Sequence, residues 1–389
     1  MNMAQRPFPS LHIKAFRGLR DLHLEDCEPV NLLVGGNNCG KTSVLEAILL
    51  LANPYDPRQW EGAVELRKTW PFVEGRFRGS GIDRLDALAW LFPHGASGIE
   101  PLSIAGGGPA GSIVATVEQI RGAAPDRPVV SEGEWIEGSF PRLGLRNRDE
   151  GRGAASEDVR GLEIAIRGAS ERHVPQFRMV LWERGRGPRS RPNAEPGIPI
   201  AFATPISHRS DGYLTARVSR LLRAKKKTRL VELLKGLDPE ISDLVVVSPE
   251  DSDDFAAVPR WSSRPTLHVE HDAAGLVPVH AMGDGIRRAM HFAALVADVE
   301  RGGVLLVDEI EVGMHTTVLR DVFTWLCESC RASGVQLFAA THSLEAVDAI
   351  LEGVPDEDIA LYRLRHGRAK RFGGELLRVS RMELGQEIR

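Results

Sequence analysis

Several features that would restrict the class of this protein are scarce or missing. Four cysteines among 389 residues are too few for a disulfide framework. No apolar run approaches the ~20 residues that a membrane-spanning helix needs. The first residues contain no apolar segment of the kind found in a secretory signal. We therefore expect a cytoplasmic protein that does not enter a membrane.

An excess of one charge is also missing. The chain has 49 Lys and Arg residues against 53 Asp and Glu residues, a net charge of −4. This balance excludes a uniformly basic coat for nucleic acid but leaves room for a local basic patch. Apolar residues make up 42% and charged residues 26%, which is typical of a globular protein.

A phosphate-binding loop is predicted near the N-terminus. Residues 30–34 form an apolar run typical of a buried strand, and residues 43–52 have helical character. Between them, residues 35–42 match the P-loop pattern Gly-x-x-x-x-Gly-Lys-Thr. In such a loop, backbone N–H groups surround the β-phosphate and Lys41 reaches the β- and γ-phosphate oxygens. The Thr42 hydroxyl can ligate Mg²⁺.

Two later strands end in polar residues that fit the same chemistry. The apolar run 304–307 is followed by Asp308 and Glu309. Asp308 can hold Mg²⁺ through water, and Glu309 can orient or deprotonate the attacking water. Alone, such a pair is often a solvated turn, but beside a P-loop it favours a nucleotide site. The run 335–340 leads to His342, which either senses the γ-phosphate or is a structural hydrogen-bonding residue.

A glycine-rich turn at 282–288 precedes a predicted helix at 286–299. A helix start of this kind can bind an anion. The alternative is an ordinary helix N-terminus capped by Asp284.

The remaining pattern predicts an antiparallel β-subdomain and a helical segment. Period-two alternation marks strands, helical spacing marks one or two helices at 213–236, and residues 54–81 are predicted to be irregular. The predicted strands, helices and hairpin outside the motifs are 11–16, 22–24, 112–117, 161–167, 177–182 and 245–247 (strands), 85–92, 316–332 and 343–352 (helices), and 359–372 (hairpin).

The order of these motifs resembles the ABC-type ATPase heads of the SMC/RecF/OLD group, in particular the stand-alone bacterial AAA15-type proteins. The resemblance extends over nearly the whole chain and includes the segments 13–18, 35–43, 282–288, 306–315 and 340–343. It implies an α/β P-loop NTPase of ABC-ATPase type, with a mixed central sheet, an antiparallel β-subdomain and a helical insertion. The segments it implies are 1–205 (N-terminal head), 206–264 (basic helical insertion) and 265–389 (C-terminal head).

The resemblance also implies site residues, ligands and partners. The implied ligands are ATP and Mg²⁺, and two heads dimerise so that each P-loop faces the other subunit's signature turn, residues 282–288. ATP is preferred to GTP, since no Asn-Lys-x-Asp motif is present. The implied residues are Glu309 and His342 for catalysis, Thr42 and Asp308 for the metal, and Gly35, Asn37, Asn38, Gly40, Lys41, Thr42, Ser43, Arg17, Gly283 and Gly285 for the nucleotide.

The chain departs from the family pattern in several ways. The signature usually carries a serine that contacts the γ-phosphate in trans, but Gly283 occupies this position and leaves only backbone donors. The glutamine of the Q-loop has no assigned position. There is no coiled-coil arm of the SMC kind between Lys41 and Met282. Arg17 either lies near the phosphates, as in the family, or is a surface residue.

A basic stripe at 209–235 holds nine Lys and Arg residues against two acidic ones. It either contacts the phosphates of DNA or RNA, through the part from Arg217 to Lys235, or is a solvated helix face. Cys327 and Cys330 are predicted to be buried thiols rather than a zinc site. The acidic cluster 251–254 is predicted to be a solvated loop.

Three functions remain open. The first is an ATPase whose ATP-dependent dimerisation regulates a separately encoded effector, such as a nuclease in anti-phage defence. The second is a RecF-like DNA-binding repair ATPase. The third is the ATP-binding subunit of an ABC transporter, which the interrupted head and the unusual signature disfavour.

Overall fold

A computed structural model describes most of the chain. The described residues are 6–65, 84–96, 98–122, 130–131, 159–169, 176–183, 197–209, 211–223, 225, 227–247, 265–299, 302–365 and 367–387. The acidic cluster 251–254 lies outside them, as do most of residues 121–160 and 183–197, which the Gly-, Pro- and Arg-rich sequence predicts to be loops.

The described elements are strands and α-helices. The strands are β1 (Leu11–Phe16), β2 (Leu19–Leu24), β3 (Val30–Val34), β4 (His94–Gly95), β5 (Gly98–Ile99), β6 (Leu102–Gly106), β7 (Ser112–Gly122), β8 (Val130–Ser131), β9 (Val159–Ala169), β10 (Gln176–Trp182), β11 (Ile200–Ala203), β12 (Ile241–Val247), β13 (Thr266–His271), β14 (Gly275–Pro278), β15 (Val304–Val307), β16 (Gln336–Ala340), β17 (Ile359–Arg365) and β18 (Arg368–Gly373). The helices are α1 (Lys41–Ala52), α2 (Pro57–Glu65), α3 (Arg84–Ala89), α4 (Asp211–Arg223), α5 (Lys227–Leu237), α6 (Asp284–Asp298), α7 (Thr316–Ser333), α8 (Leu344–Gly353) and α9 (Gly374–Arg378).

The central sheet has six strands in the order β11-β15-β16-β3-β17-β18. The first five are parallel, and β18 returns antiparallel to β17. Both faces are covered: in β15, Val304 and Leu306 face one core, and Leu305 and Val307 face the other. Burial on both faces explains why these strands are continuous apolar runs in the sequence.

A second, antiparallel sheet has the order β2-β1-β6-β7-β9-β10-β8 and corresponds to the predicted β-subdomain. Helix α1 lies between the two sheets and contacts β1 and β6 of one sheet and β11, β15 and β16 of the other. All of its residues except Thr42 are buried. The P-loop that precedes α1 is therefore held between the two sheets. The mixed α/β architecture predicted from the sequence is confirmed.

The predicted helical segment at 213–236 forms two helices, α4 and α5. Leu214 and Val218 of α4 and Leu234 of α5 are buried in the same core as Phe292 of α6. The strand that follows, β12, pairs with β13. The segment is therefore attached to the rest of the chain by a shared hydrophobic core and by backbone hydrogen bonds between these two strands. The division of the chain at 205 and 264 stays a prediction.

One prediction about local structure is wrong. Residues 54–81 were expected to be irregular, but α2 forms within them. Pro57 begins the helix, and the Asp56 carboxylate accepts a hydrogen bond of 2.9 Å from the Arg58 N–H. A capping acidic residue before a proline is a recognised start signal. Trp60 anchors the helix, because it is fully buried and stacks on Phe92.

The C-terminal hairpin and the helix cysteines match expectation. Strands β17 and β18 form the predicted hairpin, although β17 also pairs in parallel with β3. Cys327 and Cys330 are buried on α7. Burial raises the pKa of both thiols, that of Cys327 to about 12, so both are inert core side chains.

Candidate nucleotide site

The motif residues meet at one edge of the central sheet. Strands β15, β16 and β3 are neighbours and parallel, so their carboxyl ends lie side by side. β3 leads into the P-loop, β15 into Asp308 and β16 into His342. The carboxyl edge of a parallel sheet is where α/β proteins place their ligands. Three segments that are far apart in the sequence thus form one site.

The P-loop backbone depends on its two motif glycines. Gly35 has φ +143°, and a Cβ there would lie 2.5 Å from the carbonyl oxygen of Leu364. Gly40 has φ +100°, and a Cβ there would lie 2.5 Å from a methyl carbon of Leu19. Both positions combine a left-handed conformation with a close approach, which only glycine accepts without strain.

Lys41 is turned back into the loop that precedes it. Its Nζ donates hydrogen bonds of 2.8 Å to the carbonyl oxygen of Gly35 and 3.1 Å to that of Gly36. It also lies 3.5 Å from His342 Nδ1. Burial lowers the pKa of Lys41, while the nearby charges of Asp308 and Glu309 act to raise it. The Lys41 ammonium therefore lies inside the P-loop, in the place that a bound phosphate would occupy.

Thr42 and Asp308 are joined directly. The Thr42 hydroxyl donates a hydrogen bond of 2.8 Å to Asp308 Oδ2, although 266 positions separate them in the sequence. A hydroxyl and a carboxylate at this distance present two hard oxygen donors on the same side of the P-loop. Oxygen donors of this kind are those that Mg²⁺ prefers.

Glu309 occupies a strained backbone conformation. Its φ is +46°, in the left-handed region that few residues other than glycine, asparagine and aspartate adopt. The side chain is half-buried. Such strain persists only where the surroundings hold the backbone in place, and it is frequent at functional sites.

Arg288 provides part of that support, and sequence reasoning gave it no role. Its guanidinium donates hydrogen bonds to the carbonyl oxygens of Asp308 at 3.2 Å and Glu309 at 2.7 Å. It also donates to the carbonyl oxygens of Thr204 and Pro205, both at 3.1 Å. The side chain is fully buried, and burial lowers its pKa to about 10.

A sequence signal for Arg288 did exist. It precedes Phe292 by four positions and Leu295 by seven, so it occupies the apolar stripe of α6. A cation at such a position must be buried with hydrogen-bond partners.

Glu311 is a second residue that sequence reasoning did not single out. Its carboxylate accepts a hydrogen bond of 2.7 Å from the Thr341 hydroxyl and one of 3.0 Å from the His342 N–H. It thereby fixes the loop that carries His342 to the loop that carries Glu309. Ser343 then caps α8 by accepting a hydrogen bond from the Ala346 N–H.

The signature turn, residues 282–288, contacts residues other than those of the P-loop. Asp284 is paired with Arg209 and lies 3.4 Å from His208 Nε2 and 3.8 Å from the Arg287 guanidinium. A Cβ on Gly285 would lie 3.7 Å from the carbonyl oxygen of Gly313. The cap of α6 is Gly283 and not Asp284, whose carboxylate is engaged by the neighbouring cations. The capping alternative for Asp284 is therefore wrong.

Arg17 lies beside α1. Its Nε is 2.8 Å from Glu46 Oε2, and its Nη2 donates a hydrogen bond of 3.1 Å to Glu46 Oε1. Glu46 is fully buried and lies one helical turn after Thr42. Arg17 is thus half-buried and paired rather than a free surface residue, and its predicted contact with phosphate stays a prediction.

A cavity of about 520 Å³ opens over the P-loop. It is lined by Gly18 and Leu19 of the β1–β2 turn, by the loop residues 35–40, by Ser43, and by residues 363–365 and Gly367 at the end of β17. Asn37 and Asn38 are exposed in this lining, and Asn38 has φ +60°. The volume is in the range of small-molecule sites.

The basic stripe is partly neutralised by acidic neighbours. Arg217 and Arg220 both pair with Asp298 at the end of α6, and Lys227 pairs with Asp243 of β12. Both acidic residues lie outside the stripe in the sequence, so its own pattern could not reveal these pairs. Other cations of the stripe stay exposed, namely Arg223, Lys225, Arg229 and Lys235.

Two family models match the chain. One is described as "AAA ATPase domain" and matches residues 9–74. The other is described as "AAA domain, putative AbiEii toxin, Type IV TA system" and matches residues 168–348. The first match contains the P-loop, and the second contains the signature turn, Asp308, Glu309 and His342. Within the described residues, no helix is both long and apolar enough to cross a bilayer.

Known proteins and structures are similar over different lengths. The uncharacterized protein MJECL11 of Methanocaldococcus jannaschii is 32% identical over 114 residues, 28% of this chain and 99% of that protein. An Smc head domain from Pyrococcus furiosus, bound to the C-terminal domain of ScpA, has a TM-score of 0.44 and 13% identity over 97% of this chain and 99% of that chain. The recombination mediator protein RecF has a TM-score of 0.42 and 12% identity over 95% of this chain and 100% of that chain. Residues 9–74 and residues 168–348 of the chain thus each match a model of an AAA-type ATPase domain.

Proposed function

We propose that this ATPase head binds ATP with Mg²⁺ at the P-loop and hydrolyses it slowly, with Glu309 as the general base. The observation that carries the proposal is the convergence of Lys41, Thr42, Asp308 and His342 at the carboxyl ends of three neighbouring parallel strands. The family match supports an ATPase, and this convergence gives each group a role.

The P-loop binds and orients the triphosphate. Lys41 exchanges its bonds to the carbonyl oxygens of Gly35 and Gly36 for the β- and γ-phosphate oxygens. Thr42 and Asp308 would hold Mg²⁺ through the two oxygens that now bond each other. The ion neutralises charge on the phosphates when it is bound. The nucleoside occupies the cavity between the β1–β2 turn and the end of β17.

Glu309 and His342 form the water-activating side of the site. Glu309 accepts a proton from the attacking water, and its backbone is held by Arg288. His342 lies within 3.5 Å of the Lys41 ammonium and senses whether the γ-phosphate is present. Glu311 transmits that state, because it bonds the His342 backbone next to the Glu309 loop.

ATP binding also drives the formation of a homodimer, in which each signature turn completes the site of the other subunit. Gly283 is exposed, and a Cβ there would meet nothing within 4 Å. No side chain caps the first turn of α6, so its N–H groups are available to an anion. The charge of Asp284 is offset by Arg209 and Arg287, which reduces its repulsion of a phosphate.

The dimer acts as a switch on a separately encoded effector, for example a nuclease in anti-phage defence. The family model that describes a toxin of a type IV TA system supports such a setting. A second candidate is a RecF-like DNA-binding ATPase, which the exposed cations Lys225, Arg229 and Lys235 favour.

The proposal is tested with two variants of the P-loop and the base. Lys41→Ala is expected to abolish binding of a non-hydrolysable ATP analogue in isothermal titration, whereas Lys14→Ala, which changes an exposed lysine on β1, keeps the wild-type affinity. Unchanged affinity in Lys41→Ala would overturn the P-loop assignment.

Glu309→Gln is expected to bind ATP but to turn it over at least ~100-fold more slowly, the scale of a lost general base. It should also accumulate an ATP-dependent dimer in sedimentation experiments. A Glu309→Gln protein that stays monomeric in saturating ATP and keeps its turnover contradicts both the base and the dimer. A pull-down with this variant in ATP then identifies the effector or the nucleic acid.

A further inference from the structure

We propose that His12, Asp21 and His23 form a binding site for a late first-row divalent metal ion such as Zn²⁺. The site lies on the solvent side of the β1–β2 hairpin and is separate from the predicted Mg²⁺ ligands Thr42 and Asp308. It does not depend on the proposed ATPase mechanism.

The two histidines are brought together by strand register. His12 of β1 is directly opposite His23 of β2 in the antiparallel ladder. Their rings stack with centroids 3.8 Å apart and planes inclined by 19°. Directly opposite residues of an antiparallel pair have their Cβ atoms about 4.5–5.5 Å apart, so two imidazoles can point to one common ligand.

Asp21 supplies the third donor from the same face of β2. Its φ of +48° is left-handed, and the ladder skips the pair of Lys14 and Asp21 while keeping the same register on either side. This conformation places Asp21 Oδ1 2.9 Å from His12 Nε2 and 3.2 Å from His23 Nε2. The donor atoms of the three residues lie within 4.8 Å of one another.

These separations fit a small tetrahedral ion. Zn–N and Zn–O bonds of about 2.0–2.2 Å place neighbouring ligand atoms roughly 3.3 Å apart. The two nitrogen–oxygen distances already lie near that value. An ion bound by both Nε2 atoms would therefore replace the two N–H···O hydrogen bonds with little movement of the side chains, and each ring would then carry its proton on Nδ1.

The donor set selects the class of ion. Two imidazoles and a carboxylate suit Zn²⁺ and its neighbours, whereas Mg²⁺ and Ca²⁺ prefer oxygen donors alone. Asp21 is 78% exposed and the histidines 37% and 47%, so water can fill the fourth position and the ion can exchange.

The position of the site gives a bound ion a structural effect. The turn of the same hairpin carries Arg17, which holds Glu46 of α1, and Leu19, which packs on Gly40. A metal that bridges His12 and His23 cross-links the two strands behind this turn. It would therefore stabilise the hairpin that forms one wall of the cavity over the P-loop.

The test uses tag-free full-length protein without nucleotide and with excess Mg²⁺, titrated with Zn²⁺ and, in parallel, with Co²⁺ as a visible spectroscopic probe. The wild type is expected to bind one ion per chain with an absorption band typical of nitrogen ligands. His12→Asn, His23→Asn and Asp21→Asn should each weaken binding at least ~10-fold, a lower limit because even residues that only orient ligands have effects of this size.

His268→Asn is the matched control, because it removes a histidine from another antiparallel ladder, in β13, and should leave Zn²⁺ affinity unchanged. All three ligand positions are solvent-exposed, so the variants should stay folded, which circular dichroism can verify. The proposal is overturned if the wild type binds no Zn²⁺ under these conditions, or if His12→Asn and His23→Asn bind it as tightly as the wild type.

Discussion

Arg288 donates a hydrogen bond of 2.7 Å to the carbonyl oxygen of Glu309, and this bond ties the signature helix α6 to the proposed catalytic base of the same chain. Gly283, at the start of α6, precedes Arg288 by five positions. A partner subunit that docks on the signature turn would therefore press on the helix that supports Glu309. The contact offers a physical route by which dimerisation could adjust the base.

Replacing Arg288 tests this route. Arg288→Lys keeps a cation but cannot reach four carbonyl oxygens at once, so the backbone of Glu309 loses part of its support. We expect the turnover number to fall about 10- to 100-fold, while the affinity for ATP, measured by titration, changes less than about 3-fold. Arg320→Lys, an exposed residue of α7 paired with Glu352, is the control. An equal loss of affinity and turnover would instead indicate a general structural role.

The geometry of the dimer can be tested at Gly283. A Cβ is free to fit there, so Gly283→Ser should be tolerated, and its hydroxyl is expected to strengthen dimerisation through a hydrogen bond of about 1.5–3 kcal/mol to a charged group. Gly283→Arg should block closure of the dimer and leave ATP binding to the monomer intact.

Mixing the inactive Gly283→Arg and Lys41→Ala proteins is the decisive experiment. In the proposed dimer, each site is formed by the P-loop of one subunit and the signature turn of the other. A mixed dimer therefore has one site that carries both substitutions and one site that carries neither, so part of the ATPase activity should return. If native mass spectrometry shows mixed dimers and activity does not return, the turn has no role in trans.

The basic stripe gives a prediction about DNA. The charge reversals Lys225→Glu and Arg229→Glu change exposed residues. If the stripe binds DNA, the double variant should lose binding in fluorescence anisotropy, and wild-type binding should fall steeply with added salt as counterions are released. Arg368→Glu with Lys370→Glu, on the β17–β18 hairpin, makes the same change elsewhere and should retain binding. A wild type that binds no DNA at low salt with ATP favours a protein effector.

Acid stability should report on His291. It is fully buried and bonds Ser207 through Nε2 at 2.9 Å. Burial first, and then the charges of Arg217 and Arg288, lower its pKa to about 3 from an ordinary 6.5. The unfolded chain therefore binds a proton between these two values while the folded chain does not, so this residue destabilises the fold as the pH falls.

The measurement is the free energy of unfolding of the wild type minus that of His291→Asn across pH. We expect the difference to decrease by about 1.4 kcal/mol per pH unit between about pH 6 and pH 4. It should be flat between pH 7 and pH 8, where histidine is neutral in both states. A difference that does not change between pH 6 and pH 4 would show that His291 is not held neutral by the fold.

Sequence reasoning recovered the local elements that surround each motif. Strand β3 with its P-loop and α1, strand β15 with Asp308, and strand β16 with His342 all lie where they were predicted. Each combines a run of three or more apolar residues with an abrupt polar end, a signal that needs no distant contact. Helix α2 was missed because its cap at Asp56 and Pro57 lies in a stretch of mixed composition.

The sequence by itself determined which residues carry phosphate chemistry, because a P-loop needs Gly35, Gly40 and Lys41 within a few positions of one another. Only the tertiary structure decided their partners. The bond from Thr42 to Asp308 and the pairing of the basic stripe with Asp298 join residues that are far apart in the sequence. So does the support that Arg288 gives to Glu309. Such contacts are set by the order of strands in the sheet and by the packing of helices on it, and a local pattern of residues contains neither.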